Sequence, residues 1–278
     1  GPAQGGGGRC VMNAAMSEET RAAFADERQA EIARLVEDRG RARVTELPES
    51  FGVSSVSIRK DLDVLADEGR IIRTHGGAIA PLVRGQDLAY DVRDRMQQGE
   101  KAAIGRLAAA RVNDGESIIV DASTTSLYLA RELMQRTSGQ SLTIVTNSIR
   151  LATEMAVRPD ISVLLMGGRV RGRSLSLVGQ LGDGVLRRVN VQKAFVGSAG
   201  FTTQEGLTET TEEEAQIKRA MVAAAREVYA LVDYSKWGRV ASATFCRPEE
   251  LTGVITDAGA PGDMVEGLQG MGIEVQHA

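Results

Sequence analysis

The sequence predicts two folded domains of different class: three short helices closed by a β-hairpin, then a larger α/β domain on a mostly parallel sheet. Three observations carry this reading. Apolar residues recur at helical spacing from about Phe24 to residue 80, with a glycine or a hydroxyl residue at the breaks. From about residue 100, short Val, Ile and Leu runs alternate with helical stretches, the pattern of a parallel sheet covered on both faces. Between them, residues 81–99 are polar, include Gly85 and alternate in charge, as a linker does.

Composition narrows the function classes. At 278 residues and 42% hydrophobic side chains, the chain can bury two cores. No run approaches the roughly 20 apolar residues of a membrane-spanning helix, and no secretory signal opens the sequence, so a soluble cytoplasmic protein is expected. Cys10 and Cys246 are far apart and in no ligand spacing, which gives neither a disulfide framework nor a zinc site. His75 and His277 supply no metal centre or imidazole pair; no metal or cofactor is expected. The net charge of −4 argues against a wholly basic surface but leaves room for a local basic face.

Residues 1–23, which open GPAQGGGG, lack an apolar period and are expected to be a disordered leader. The first domain is expected over 24–80. Its first helix runs from near Phe24 to Gly40 with Ile32, Leu35 and Val36 on one face. A second falls within Val44–Phe51, where Pro48 lacks a backbone donor and is expected to shift or kink the start. Gly52 makes the turn, and Ser54 offers an oxygen to the free N–H groups of a third helix, Ser55 to about Glu68, which buries Ile58, Leu62 and Leu65. Ser55, Ser57, Arg59 and Lys60 occupy the other face near its start, where a helix entering a major groove presents side chains to bases. Asp61, Asp63, Asp67 and Glu68 are expected toward the far end. Gly69 stops the helix, and Arg70–Arg73 and Ala78–Pro81 flank Thr74-His75-Gly76-Gly77 as a hairpin. Together these elements make a winged helix. Arg39, Arg41, Arg43, Arg59, Lys60, Arg70 and Arg73 can all face one duplex, although three helices and a hairpin also occur in domains that bind no nucleic acid.

The second domain is expected over 100–278. Helices are expected at Glu100–Arg111, Leu127–Met134, Ile149–Met155 and Glu212 to about Arg226. Strands are expected at Ser117–Val120, Leu142–Val145, Ser162–Met166, Lys193–Val196, Val228–Val232, Val254–Thr256 and Ile273–Val275. Ligands of an open α/β sheet bind beyond the carboxyl ends of its strands, so the residues after each strand matter most. Asp121-Ala122-Ser123-Thr124-Thr125-Ser126 sets four successive hydroxyls at a helix N-terminus, where free N–H groups and the dipole suit a phosphate; a cap alone needs one. Thr146-Asn147-Ser148, Gly167-Gly168-Arg169 and Gly197-Ser198-Ala199-Gly200 are either tight turns or places where backbone approaches a ligand. Lys218 and Lys236 are either solvated charges or counter-ions to a phosphate. With neither a Walker loop nor G-x-G-x-x-G, a nucleotide is disfavoured.

The motifs ERQAEIARLV, FGVSSVSIRKDLDVLADEG and RIIRTHGGA stand in the first domain. GESIIVDASTT, TIVTNS, LLMGGRVR, LVGQLG, KAFVGSAGF, EGLT, EEEAQIKRAM, LVDYSK and VITD follow in the second. In this order, from about Glu27 to Ala260, they resemble the DeoR family of bacterial sugar-metabolism repressors. The resemblance implies a ribose-5-phosphate-isomerase-like sensor domain without catalysis, a phosphorylated sugar or polyol as effector, and a homo-oligomer, dimer or tetramer. It implies effector contacts at Asp121, Ser123, Thr124, Thr125, Ser126, Thr146, Asn147, Gly168, Gly197, Gly200, Lys218 and Lys236. DNA contacts are implied at Ser55, Ser57, Arg59, Lys60, Arg73 and His75. The sequence departs from the family pattern at Pro48, where a small helix former is usual, at Ser123, where the loop usually has glycine, and at Ala199, where an acid is common.

A repressor of carbohydrate-metabolism genes is thus expected, with double-stranded operator DNA as its partner, a phosphorylated effector and no membrane. The rival is a sugar-phosphate isomerase-like enzyme with an accessory N-terminal domain. It needs a positioned general base, and Asp121, Glu205, Glu212, Glu213, Glu214 and Asp233 show no evident pairing. An architectural DNA-binding protein with a purely structural second domain leaves the hydroxyl and glycine clusters unexplained.

Overall fold

The computed structural model describes residues 18–39, 41–67, 70–74, 76–79, 89–136 and 141–278, and the chain divides into two compact units, up to Val83 and from Arg84. The features expected at 1–17, Gly40, Glu68, Gly69, His75 and Gly85 lie outside the described residues.

The first unit runs α1 (Glu18–Arg39), β1 (Arg41–Arg43), α2 (Leu47–Phe51), α3 (Ser55–Asp67), β2 (Ile72–Thr74) and β3 (Gly77–Ile79). α1 starts six residues before Phe24, inside the expected leader. Its opening Glu-Glu-Thr-Arg-Ala-Ala has helical propensity but no apolar period, so periodicity alone missed it. Ile32, Val36, Leu47, Ile58, Leu62 and Leu65 form the core. Pro48 falls in the first turn of α2, where a backbone N–H has no intrahelical acceptor, so the helix begins at Leu47 and tolerates it. Gly52 turns the chain at φ +64°. The expected hairpin has a third strand, in the antiparallel order β1-β3-β2. Gly77 permits this pairing, because a Cβ there would collide with the Ala42 carbonyl. Arg-Ala-Arg in β1 has too little apolar alternation to be read as a strand.

In the second unit the chain forms α4 (Tyr90–Arg95), α5 (Gln98–Ala110), β4 (Ser117–Val120), α6 (Thr124–Gln135), β5 (Leu142–Thr146), α7 (Ile149–Met155) and β6 (Ile161–Leu165). It continues through β7 (Arg169–Arg171), β8 (Ser176–Val178), α8 (Gln180–Leu186), β9 (Val191–Val196), β10 (Gly200–Thr202), β11 (Gly206–Glu209) and α9 (Glu212–Ala223). β12 (Ala225–Leu231), β13 (Ala243–Cys246), β14 (Gly253–Thr256), α10 (Gly262–Gly270) and β15 (Glu274–His277) complete it. Seven strands form a wholly parallel sheet in the order β15-β14-β12-β9-β4-β5-β6. β10, β11 and β13 form a small antiparallel sheet, and β7 pairs with β8.

Alternation along each strand sends residues to opposite faces. On β4, Ile118 and Val120 pack with Ile104, Leu127 and Leu151 of α5, α6 and α7, while Ile119 packs with Leu186, Ile217 and Met221 of α8 and α9. From β4 the chain steps outward to β5 and β6, then returns to the other side of β4 as β9. The strand order therefore reverses between β4 and β9, the place where an open α/β sheet leaves a crevice.

Part of the expected linker is instead structured. α4 occupies 90–95 and α5 starts at Gln98, because Tyr90, 1% exposed, belongs to the core over α5 and α6. The three- and four-residue antiparallel strands were not legible, being short and rich in Gly, Thr and Arg. No described helix is long and apolar enough to cross a membrane.

Candidate functional site

In the first unit the turn between α2 and α3 is closed by Ser54, whose Oγ accepts the Ser57 N–H at 3.2 Å and lies 3.1 Å from the Ser57 hydroxyl. Ser55, Val56, Arg59 and Lys60 are exposed on the first turns of α3, while Ile58, Leu62 and Leu65 hold its inner face. Val56, 70% exposed, was not singled out from sequence; its signal was an apolar side chain on an otherwise polar face. Asp61, expected among the acids at the far end, is instead buried. Its carboxylate accepts Arg28 Nε at 2.7 Å, Arg28 Nη2 at 3.1 Å and Gln29 Nε2 at 3.0 Å, fastening α1 to α3. Arg73 donates from Nε to Asp63 at 2.7 Å and from Nη1 to the Gly77 carbonyl at 2.9 Å, so it ties the wing to α3.

In the second unit the candidate residues gather where the strand order reverses. Asp121, fully buried after β4, accepts the Gly197 N–H at 3.0 Å, the Ser126 hydroxyl at 2.5 Å and the Ser123 N–H at 3.1 Å. Lys218 of α9 reaches this carboxylate at 2.7 Å, Glu209 at 2.5 Å and the Gly197 carbonyl at 2.8 Å. Burial pushes the Asp121 carboxyl up, but Lys218 and the serine hydrogen bonds outweigh this and hold it below its ordinary value. Burial likewise opposes the Lys218 charge, and Asp121 with Glu209 more than restores it. Glu209 is held above its ordinary value: burial dominates, Lys218 is shared, and Glu214 adds like charge.

This geometry sorts the expected effector residues. Lys218 is neither solvated nor a spare counter-ion, since two carboxylates already neutralise it. Ser123 caps α6 by accepting the Ser126 N–H at 3.1 Å and donates to the Ser126 hydroxyl at 2.8 Å, so both serines are engaged within the loop. Gly197 packs against Ser123, where a Cβ would lie 2.5 Å from its Cβ and Oγ. Gly168 and Gly200 answer to packing: a Cβ would collide with the Val178 carbonyl at the first and the Arg239 carbonyl at the second. Thr146 accepts the Ser148 N–H at 3.0 Å. Four are not accounted for by these contacts. Thr124 and Thr125 form the buried first turn of α6; Asn147 donates to the Leu177 carbonyl at 3.2 Å while its Oδ1 is buried without a partner; Lys236 is half-buried.

Three further charged residues bear electrostatically on Lys236 and escaped the sequence reading. Its charge faces Asp233, Arg93, Arg239 and Glu209, and burial lowers its affinity for a proton. Arg93 lay in the expected linker, Arg239 in an unassigned loop and Glu209 in a strand too short to read. Asp233 was noted only as an available acid; its Oδ1 accepts the Ser235 N–H at 3.0 Å, and its buried Oδ2 has no partner.

Known proteins carry the same two parts in the same order. Residues 28–82 match the DeoR-like helix-turn-helix domain and residues 96–258 the DeoR C terminal sensor domain. The HTH-type transcriptional regulator GolR of Listeria innocua is 34% identical over 257 residues, covering 92% of this chain and 99% of that protein. The glycerol-3-phosphate regulon repressor of Escherichia coli is 31% identical over 245 residues, covering 88% and 96%. Among solved structures, ribose 5-phosphate isomerase A of Methanocaldococcus jannaschii overlaps 50% of this chain and 54% of its own, at 19% identity and a TM-score of 0.38. The isomerase-like alternative falls to these matches, which are to regulators along nearly the whole chain. The chain belongs to the DeoR family, and it is a DNA-binding transcriptional repressor and not an enzyme.

Proposed function

We propose that this protein represses carbohydrate-metabolism genes in the cytoplasm and is released from its operator by a phosphorylated sugar or polyol bound to the second unit. The observation that carries the effector is the polar floor at the strand reversal. There the N-terminus of α6, with Thr124 and Thr125 in its first turn, shares a sheet edge with a half-buried lysine and with the unpartnered oxygen of Asn147. Free helix N–H groups and a cation favour a phosphate, and a carboxamide oxygen suits a sugar hydroxyl. A relative whose name is glycerol-3-phosphate regulon repressor supports the same ligand class. Ser55, Arg59 and Lys60, exposed at the start of α3, are the proposed base and phosphate contacts, with the wing beside them.

A thermal-shift panel of three-, five- and six-carbon sugar monophosphates, each against its unphosphorylated parent, tests this reading. A compound that binds only the native chain raises the melting temperature as its concentration climbs above Kd. No shift with any phosphate, or equal shifts with the parents, contradicts it.

A further inference from the structure

Among the described residues of the first unit, Val56 is the one large apolar side chain that stands exposed. Folding gives no reason for it. A β-branched residue is a poorer helix former than alanine, and one left in water gains nothing from burial. The orientation of α3 is fixed from the inside, by Ile58, Leu62 and Leu65 in the core and by the Asp61 carboxylate bound to Arg28 and Gln29 of α1. Its outer face then carries Val56, Arg59, Lys60 and Asp63, all exposed, at the i, i+3, i+4 and i+7 spacing of one helical stripe. The apolar group comes first, the cations next and the acid last.

A recognition helix enters the major groove with its N-terminal residues against the base edges, so the opening turn of α3 decides what is read. Ser57 is engaged within the protein: its N–H donates to Ser54 Oγ and its hydroxyl lies 3.1 Å from the same oxygen, which closes the turn. Ser55 and Val56 stand exposed ahead of it. A valine neither donates nor accepts a hydrogen bond, so it gains nothing from a phosphate or from the polar atoms of a base edge. The apolar group that the major groove offers is the C5-methyl of thymine, which no other of the four bases carries. Arg59 and Lys60, one turn further along the same stripe, suit the polar edges and the phosphates beside it.

We infer that Val56 is a specificity-determining residue of the DNA interface and packs its methyl groups on the C5-methyl of one thymine in each half-site. This rests on the docking of α3 proposed above, and it adds an apolar reading of sequence to the polar one. Water leaves both groups when they meet, so the exposed valine is buried by DNA and not by the fold.

The test uses the full chain and a duplex that it selects from a random-sequence pool, with binding followed by fluorescence anisotropy at a fixed salt concentration. Each thymine is replaced in turn by deoxyuridine, which removes the methyl and keeps the base pair and the O4 acceptor. Wild type should lose about three- to tenfold in affinity at one thymine of each half-site, the size of effect expected for one buried methyl. Val56→Ala removes exposed atoms and should fold as wild type does. It should bind the parent duplex more weakly by a similar factor and be indifferent to deoxyuridine at that position, because the two changes remove the same contact. If Val56→Ala binds the parent duplex like wild type while Arg59→Ala does not, the thymine reading is overturned and the docking of α3 stands. If Val56→Ala is weakened but stays as sensitive as wild type to every deoxyuridine, or if wild type has no sensitive thymine, the inference is overturned as well. If neither variant alters affinity, the docking falls with it.

Discussion

The Gly197 N–H donates to the Asp121 carboxylate at 3.0 Å, and this bond joins the ends of the two strands between which the sheet reverses its order. Lys218 completes the link by bonding both the same carboxylate and the Gly197 carbonyl. The floor of the crevice is thus held by a buried charge that belongs to the fold.

Removing one partner of that buried pair should be costly. Asp121→Asn is expected to lower stability by about 3–5 kcal/mol, because Lys218 keeps its charge and loses a carboxylate. Glu209→Gln should cost only about 1 kcal/mol, since burial already disfavours its ionisation and the amide oxygen still accepts from Lys218. The pH dependences have opposite sign. The contribution of Asp121, whose folded value is depressed, is present above the unfolded value of about 3.9 and is lost as pH falls through the folded one. That of Glu209, whose folded value is raised, is full in acid and fades as pH rises through it. Urea unfolding of both variants across an acid pH series measures this, and equal losses would refute the assignment.

Gly197→Ala should destabilise by about 1–3 kcal/mol through overpacking, because the new methyl meets the Ser123 Cβ and not the end of a flexible chain. Chemical unfolding of the variant, compared with Gly172→Ala in open space, separates packing from glycine loss.

On the DNA side, Arg59→Ala should weaken operator binding by about 1–3 kcal/mol if it reads a base, with discrimination lost at one position. Asp63→Ala should tighten binding and steepen its salt dependence by about one, because Arg73 is released toward phosphate. Folding stability should change little, as exposed pairs contribute about 0–1 kcal/mol. Titrations at several salt concentrations read both effects.

A single winged helix contacts too few bases for regulatory specificity, so the protein should bind repeated half-sites as at least a dimer, with the second unit supplying the interface. Sedimentation at micromolar concentration should show an oligomer; a monomer both free and on DNA would be incompatible with this.

The parts legible in the sequence were those governed by periodicity. The strand ahead of Asp121, the helix opened by Ser123 and the helix over Ser55–Asp67 could be read because apolar spacing and a capping hydroxyl coincide there. The parts that were not legible depend on contacts between distant positions. Nothing near Lys218 announces that Asp121 and Glu209 will neutralise it, and nothing near Asp61 announces Arg28, 33 residues away. α4 was hidden because its hold comes from Lys101 and the buried Tyr90, and not from a pattern of its own.

Linkage requires the coupling of effector and operator to be mutual: an effector that weakens DNA binding must be bound more weakly on DNA, typically by 1–3 kcal/mol. The most direct measurement is operator affinity with and without the tightest-binding sugar phosphate, for wild type and for Thr124→Ala plus Thr125→Ala. The expected result is a loss of affinity in wild type on adding ligand, and an unchanged, full affinity in the double variant under both conditions. Equal sensitivity in the two proteins would contradict the assignment of the α6 loop, and an insensitive wild type would contradict induction by that ligand.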